Sequence, residues 1–284
     1  MSDGAALSLA YSPCPNDTYI FAAWTRGLLR DAPPVTVVLD DVEALNLAAC
    51  AGKHALTKVS YGAIPALMEH YRILRAGGAL GRGCGPLVIV RPRADGSIRS
   101  LEDLGRTARY AIPGRMTTAY LLLRLALGGE IDAVPMRFDR IVDAVAKGEV
   151  DAGLIIHESR FTYAQAGLGC ALDLGAWWES TTGLPIPLGA ILARRDLAAD
   201  VLARVDPAIR ASLAFARANP AAVAPYVREH AFEMDEGVMR AHIALYVNAY
   251  SDDIGSDGVA AVTELFERAS RAGFLPRDAA PAFA

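Results

Sequence analysis

His157 follows the apolar run Ala152 to Ile156 and precedes Glu158. An imidazole at the carboxyl end of a buried strand can take up and return a proton near neutral pH. A purely structural histidine fits the same spacing, and Glu158 need not face the same way. Lys58-Val59-Ser60 ends a second strand-like segment, with Ser60 placed to cap whatever helix follows. A lysine beside a helix N-terminus makes a carboxylate or phosphate site, although a surface lysine and an ordinary cap give the same pattern. Pro113-Gly114-Arg115-Met116-Thr117-Thr118 repeats that logic. A strand stops, Gly114 permits an unusual backbone, and two hydroxyls open a helix, as ligand contacts or as caps.

Ser12-Pro13-Cys14-Pro15-Asn16-Asp17 joins the first strand to the first helix. Ligands of open α/β sheets gather outside the carboxyl ends of strands, so this rigid turn reads as a pocket wall that includes Ser12 and Asn16. Cys14 near a helix start has the position of a lowered-pKa nucleophile, but no motif ties a histidine to it. His54, His70, His230 and His242 sit in polar or helical contexts and read as incidental. No HExxH or paired-histidine spacing supports a metal, and the four cysteines, 14, 50, 84 and 170, lie too far apart in sequence for a zinc or disulfide pattern. The Gly77 to Gly85 stretch matches no nucleotide-binding loop and reads as a flexible approach to a hinge. Trp177, Trp178 and Tyr163 suit either an aromatic ligand or core packing.

These positions need strands and helices in alternation. Leu7 to Ser12, Val35 to Leu39, Ala55 to Val59 and Arg72 to Arg75 read as strands, with helices over Thr18 to Leu29, Asp41 to Cys50 and Ser60 to His70. Asn16 or Asp17 is the expected cap of the first helix, and Val42, Leu45, Leu47 and Ala49 of the second face inward. The order βαβαβαβ predicts mainly parallel sheets flanked by helices. A second set follows, with strands over Pro86 to Arg91, Arg109 to Ile112, Val134 to Phe138 and Asp151 to Ile156, and helices over Thr117 to Leu127 and Asp139 to Lys147. Leu184 to Arg194 returns as an extended segment. From Leu197 the chain is helical, with Leu197, Val201, Val205, Ile209 and Leu213 at spacing four and breaks at Asn219-Pro220 and near Met234 and Gly255. Two extended crossings predict one unit inserted in another: 1–88 with 189–284, and 89–188, around a cleft that suits a small molecule.

Length and composition agree. The 284 residues exceed the usual single domain, and 53 % hydrophobic types can fill two cores. Charged residues at 26, 53, 91, 115, 160 and 194 interrupt every long apolar run, so no membrane insertion is expected. A formal net charge of −4 without a basic stripe argues against nucleic acid. The start lacks the pattern of a secretory leader, and a cytoplasmic protein is expected. Lysine stands only at 53, 58 and 147 among 28 basic residues, which singles out Lys58.

The strings SPCPNDTYIFAAW, LTKVSYGAIPAL, GGALGRGCGPLV, PGRMTTAYLL, AGLIIHESRFTY, DLGAWWE and LPIPLGAILARRDL, in this order over residues 7 to 250, closely resemble the 1,4-dihydroxy-6-naphthoate synthase family. These are lyases of the futalosine route to menaquinone. The resemblance implies a two-domain, periplasmic-binding-protein-like (type II) α/β fold. It also implies conversion of cyclic dehypoxanthinylfutalosine to 1,4-dihydroxy-6-naphthoate and a dihydroxyacetone-type fragment, with an anionic substrate, no cofactor and no metal. It places the general base on His157, a substrate-contacting K-x-S segment on Lys58, Val59 and Ser60, and a Thr pair on Thr117 and Thr118. Two other readings share the fold: a non-catalytic binder of small carboxylates, and the related chorismate dehydratase.

Overall fold

The computed structural model describes residues 6–232, 235–277 and 279–284. Met234 lies outside the described residues. The described residues form eleven strands: β1 Leu7–Tyr11, β2 Val35–Leu39, β3 Leu56–Ser60, β4 Tyr71–Ile73, β5 Ala79–Gly81, β6 Leu87–Val90, β7 Arg109–Ile112, β8 Asp132–Pro135, β9 Ala152–Ile155, β10 Gly169–Asp173 and β11 Ile186–Arg194. The α-helices are α1 Pro15–Thr25, α2 Val42–Cys50, α3 Leu101–Leu104, α4 Thr118–Leu127, α5 Ile141–Lys147, α6 Ser159–Thr162, α7 Leu174–Thr182, α8 Ala199–Ala218, α9 Pro220–His230, α10 Glu236–Tyr246, α11 Ala249–Asp252 and α12 Gly255–Arg271.

Two sheets organise these elements. The first runs β2-β1-β3-β11-β4 with β5 also paired to β11, and the second runs β10-β6-β9-β7-β8. Both are mixed. β1 pairs in parallel with β2 and β3, whereas β11 is antiparallel to β3, β4 and β5. In the second sheet β7 is parallel to β8 and β9, and β6 is antiparallel to both β9 and β10. The βαβ alternation does specify the parallel pairs. The reversed strands are β6, by which the chain enters the second sheet, and β11, by which it returns to the first.

Several elements differ from their sequence expectation for physical reasons. The segment after β3 is a 3-10 helix over Tyr61–Ala66 only, because Pro65 removes a donor and crowds the turn before it. Leu47 of α2 is 58 % exposed, so the helix buries only Leu45, Asn46 and Ala49. β10 and α7 lie where neither was expected: Cys170 to Asp173 has no clean alternation, yet its backbone completes the edge beside β6. In α8, Val205, Ile209 and Leu213 are fully buried on one face, as their spacing requires.

The Gly77 to Gly85 stretch is ordered, not a loose hinge approach. β5 pairs with β11, and the half-buried Arg160 donates to the Gly85 carbonyl at 3.0 Å and to Asp173 at 2.6 Å. Asp173 in turn caps α7 through the N–H groups of Gly175 and Ala176. Gly175 sits so tightly that a Cβ there would lie 1.8 Å from the Cys84 carbonyl oxygen. Since that neighbour is backbone, Gly175→Ala should lower stability by about 1–3 kcal/mol, read as a lower urea midpoint with unchanged slope.

Candidate functional site

The carboxyl ends of β1, β3 and β9 and the start of α4 converge on one cavity. Its walls include Ser12, Asn16, Asp17, Lys58, Val59, Ser60, Thr117, Thr118, His157, His242 and Tyr246. Ser12, Asn16, Lys58, Val59, Ser60, Thr117, Thr118 and His157, singled out from the sequence, are therefore in one pocket. Their bonding states are not those that spacing suggested.

The β1–α1 turn sets the first wall. Pro15 occupies the first helical position, where a missing N–H costs nothing, so Cys14 is the N-cap residue, not Asn16 or Asp17. Asp17 is released for another task. Its Oδ1 accepts from Lys58 Nζ and from Asn16 Nδ2, both at 2.8 Å, and its Oδ2 accepts from the Ser12 hydroxyl at 2.8 Å. Lys58 also donates to the Gly77 carbonyl at 3.0 Å. The lysine and aspartate side chains are only 6 % and 3 % exposed. Lys58 is thus a paired buried cation rather than a free one, with two of its three N–H donors used.

Ser60 is also committed. Its N–H donates to Asn46 Oδ1 at 2.9 Å, and Asn46 Nδ2 reaches both Ser60 Oγ and Glu43 at 3.2 Å. The short 3-10 helix after it replaces the long helix whose N-terminus was expected to bind an anion. Val59 is fully buried and packs in the core.

Glu43 carries the connection to the second sheet by accepting from the Met116 N–H at 3.1 Å. Thr117 caps α4, accepting from the Tyr120 N–H at 3.2 Å and donating to the Gly114 carbonyl at 2.8 Å. Thr118 Oγ1 donates to the Leu188 carbonyl at 2.6 Å and accepts from the Gly62 N–H at 3.0 Å. Both hydroxyls are therefore spent on protein partners. What α4 offers the cavity is its first turn, where Thr118 and Ala119 N–H groups have no intrahelical acceptor.

His157 occupies the β9–α6 connection with φ 57°, the one non-glycine positive φ among the described residues. Such a backbone is costly unless its surroundings impose it. Phe138 stands edge-on to the ring at 4.9 Å, and Cys14 Sγ lies 3.2 Å from Nδ1. Nε2 is buried and has no partner. Burial holds the imidazole pKa below 6.5, against the opposing pull of Glu158. Burial, followed by the Glu158 charge, pushes the Cys14 thiol well up. Burial thus disfavours the thiolate, which weighs against the nucleophile reading, and the thiol contacts the His157 ring.

His242 was not anticipated. It is 1 % exposed, lines the cavity from α10, and neither ring nitrogen has a partner. Burial and then the nearby His157 lower its pKa to about 3. The one signal in sequence was its i,i+4 spacing to Tyr246, which also lines the cavity. Trp178 is a core residue, its Nε1 donating to the Pro185 carbonyl at 3.0 Å, and neither it nor Tyr163 borders the cavity. Among the described residues no cluster of His, Cys, Asp or Glu could hold a metal, and no helix is long and apolar enough to cross a membrane.

Residues 7–271 match the family model for menaquinone biosynthesis. The chain belongs to the menaquinone biosynthesis family. It is 50 % identical to a 1,4-dihydroxy-6-naphthoate synthase of Thermus thermophilus over 278 residues, covering 98 % of this chain and 99 % of that one. A second enzyme of that name, from Streptomyces coelicolor, is 48 % identical over 275 residues, 95 % of each. Among solved structures, an Archaeoglobus fulgidus protein superposes with a TM-score of 0.88 at 37 % identity, over 96 % of this chain and 99 % of that one. The alkanesulfonate-binding protein of Xanthomonas axonopodis reaches 0.73 at 16 % identity, over 97 % and 96 %. The latter likeness is one of fold, and the fold of this family member is that of the periplasmic binding proteins.

Two stability predictions follow from the buried charges. Lys58→Met strands Asp17 in the interior and should cost about 3–5 kcal/mol, whereas Lys58→Met with Asp17→Leu should recover much of the loss. Chemical denaturation of the three proteins checks the order. His242 binds a proton near pH 6.5 when unfolded but only near pH 3 when folded. Across that window the unfolded chain holds more protons, so stability falls as pH falls, and His157 adds to the same trend. The urea midpoint should drop between pH 7.5 and 5, and His242→Phe should shrink the drop.

Proposed function

We propose that this family member is a carbon–carbon lyase that converts cyclic dehypoxanthinylfutalosine to 1,4-dihydroxy-6-naphthoate, releasing a dihydroxyacetone-type fragment, with His157 Nε2 as the general base. The observation that carries the reading is a buried Nε2 with no partner, on an imidazole kept basic-form by its surroundings, at the wall of the cavity between the two sheets. The full-length identity to two synthases of that name supports the substrate assignment.

The contacts of the first wall support which nitrogen acts. Ser12 spends its only proton on Asp17 Oδ2, a carboxylate that can only accept. Ser12 also lies beside Cys14. Cys14 Sγ in turn accepts from His157 Nδ1–H, which leaves the lone pair on Nε2 facing the cavity. In this reading Nε2 takes a proton from the sugar-derived part of the substrate and returns it after the bond has broken. Aromatisation of the product ring supplies the driving force. The substrate carboxylate is held by the third N–H of Lys58 and the first turn of α4, with Ser12 and Asn16 in the same wall.

The two sheets suggest a lobe of 1–88 with 189–284 and an inserted lobe of 89–188. Closure of one on the other through Glu43–Met116 and Thr118–Leu188 excludes water from the reaction. A cytoplasmic location accords with a biosynthetic role. A binder of small carboxylates is the competing reading, favoured by the likeness to sulfonate-binding proteins. The names of the two relatives weigh against the chorismate dehydratase.

Incubating the purified protein with the cyclic substrate and following naphthoate by its absorbance separates these readings; binding without turnover would favour the receptor. His157→Asn should reduce kcat about 10²- to 10⁴-fold with little change in Tm. In the wild type, kcat/KM should hold level above pH 7 and fall with an apparent pKa below 6.5, as the base becomes protonated. An acid limb centred above pH 7 would exclude this histidine as the base.

A further inference from the structure

We propose that His242 is a second substrate-contacting imidazole, binding an uncharged oxygen of the substrate's hydroxylated part. The inference rests on the lyase reading for the identity of the substrate, and on the pocket itself for the contact. Among the described residues, six buried side-chain nitrogen or oxygen atoms have no hydrogen-bond partner, and three of them are ring nitrogens of His157 and His242. Folded proteins rarely leave such atoms unpaired, and those that remain call for a cause. His157 keeps one partner, Cys14, and leaves one nitrogen open. His242 has none on either side, although it is 1 % exposed and borders the same cavity.

The surroundings of His242 hold the ring in place without bonding to its nitrogens. Tyr246 packs against it at 4.7 Å between ring centres and Phe161 stands edge-on at 6.3 Å. These aromatic contacts define the ring plane and cost the site no polar group. A neutral imidazole carries one N–H donor and one acceptor. A second positive charge next to His157 would oppose the first when that base takes up its proton. His242 therefore suits a hydroxyl or carbonyl oxygen, and does not suit the carboxylate, for which Lys58 and the start of α4 provide positive charge. The pocket thus has one end where Lys58, paired with Asp17, and the start of α4 offer N–H donors, and an uncharged end at His242, which would read the two ends of the substrate separately.

The test uses the full chain and two variants. His242→Phe keeps the ring bulk against Tyr246 and Phe161 but removes both polar atoms, and His242→Gln keeps an N–H donor. With the cyclic substrate, His242→Phe should lose about 100-fold or more in kcat/KM while His242→Gln stays within about tenfold, because a site built to bond an oxygen is penalised when its partner is left unpaired. A His242→Phe enzyme within about threefold of wild type overturns the proposal. The second measurement is nitrogen-15 histidine NMR of His157→Asn, in which bound substrate persists. The His242 ring-nitrogen signals should shift on adding the cyclic substrate, and signals that stay in place at saturation overturn the contact even where His242→Phe folds poorly. If the wild type binds the compound without turning it over while the His242 signals move, the lyase reading fails and the contact stands.

Discussion

The buried carboxylate of Asp17 is the constraint on which the site depends. It sits in the first turn of α1, where negative charge is favoured, and takes Lys58, Asn16 and Ser12 on its two oxygens. Through Lys58 it ties the β1–α1 turn to the end of β3 and to the Gly77 carbonyl. Through Ser12 it sets the orientation of the hydroxyl that lies beside Cys14, and Cys14 is the contact of His157 Nδ1. An ion pair buried this deeply adds little net stability over a well-packed apolar pair. Its value here is geometric. It fixes one polar arrangement out of several, in which His157 Nε2 is left without a partner.

The architecture explains why such distant residues meet. Strand ends on the same side of each sheet are where helix N-termini and open loops gather, and the bonds Met116–Glu43 and Thr118–Leu188 bring two such rims together. β11 makes this possible. It returns antiparallel into the first sheet, so the second sheet is built between β6 and β10 and the chain comes back beside β3, with Gly189 opposite Ser60. The bond from Thr118 to the Leu188 carbonyl then rests on a strand of the first sheet and a helix of the second.

Many strands and the start of α4 were legible from the sequence because they rest on local chemistry, β-branched runs and threonine at a cap, whereas α1 opens three residues earlier than expected, at Pro15. Arg109–Ile112 is the strand the sequence indicates, and α4 starts one residue after its expected cap. Elements ruled by distant neighbours were not legible. β10 exists because β6 offers an edge, and the segment after Ser60 stops early because Pro65 interrupts it. The same division applies to the site. The position of Lys58, Ser60 and the Thr pair in one pocket follows from strand-end topology. Their bonding does not, since Asp17, Asn46, Gly62 and Leu188 are remote partners. Cys14 and His157 are 143 residues apart, and no spacing rule connects them. His242 escaped notice because a histidine within an amphipathic helix looks like any buried or half-buried position until the cavity beside it is known.

The choice of side chains at the cavity also distinguishes it from a simple anion receptor. A receptor for sulfonates or carboxylates gains from several fixed positive charges. This cavity has one lysine, and that lysine is already paired. The chain carries arginine in abundance but uses its rare lysine here, and the geometry gives the reason. Asp17 and Gly77 approach one nitrogen at 2.8 and 3.0 Å, which a compact ammonium accommodates with a third donor to spare. A guanidinium nitrogen carries at most two N–H groups, so with the same two partners on one atom it would keep no third donor there. The rest of the polar lining is uncharged, and its two imidazoles are kept in the neutral form by burial. Neutral imidazoles add little to the binding of an anion but can accept and donate protons. A pocket so constructed is better suited to moving a proton than to holding a charge, and this favours the enzyme over the receptor on grounds independent of any relative's name.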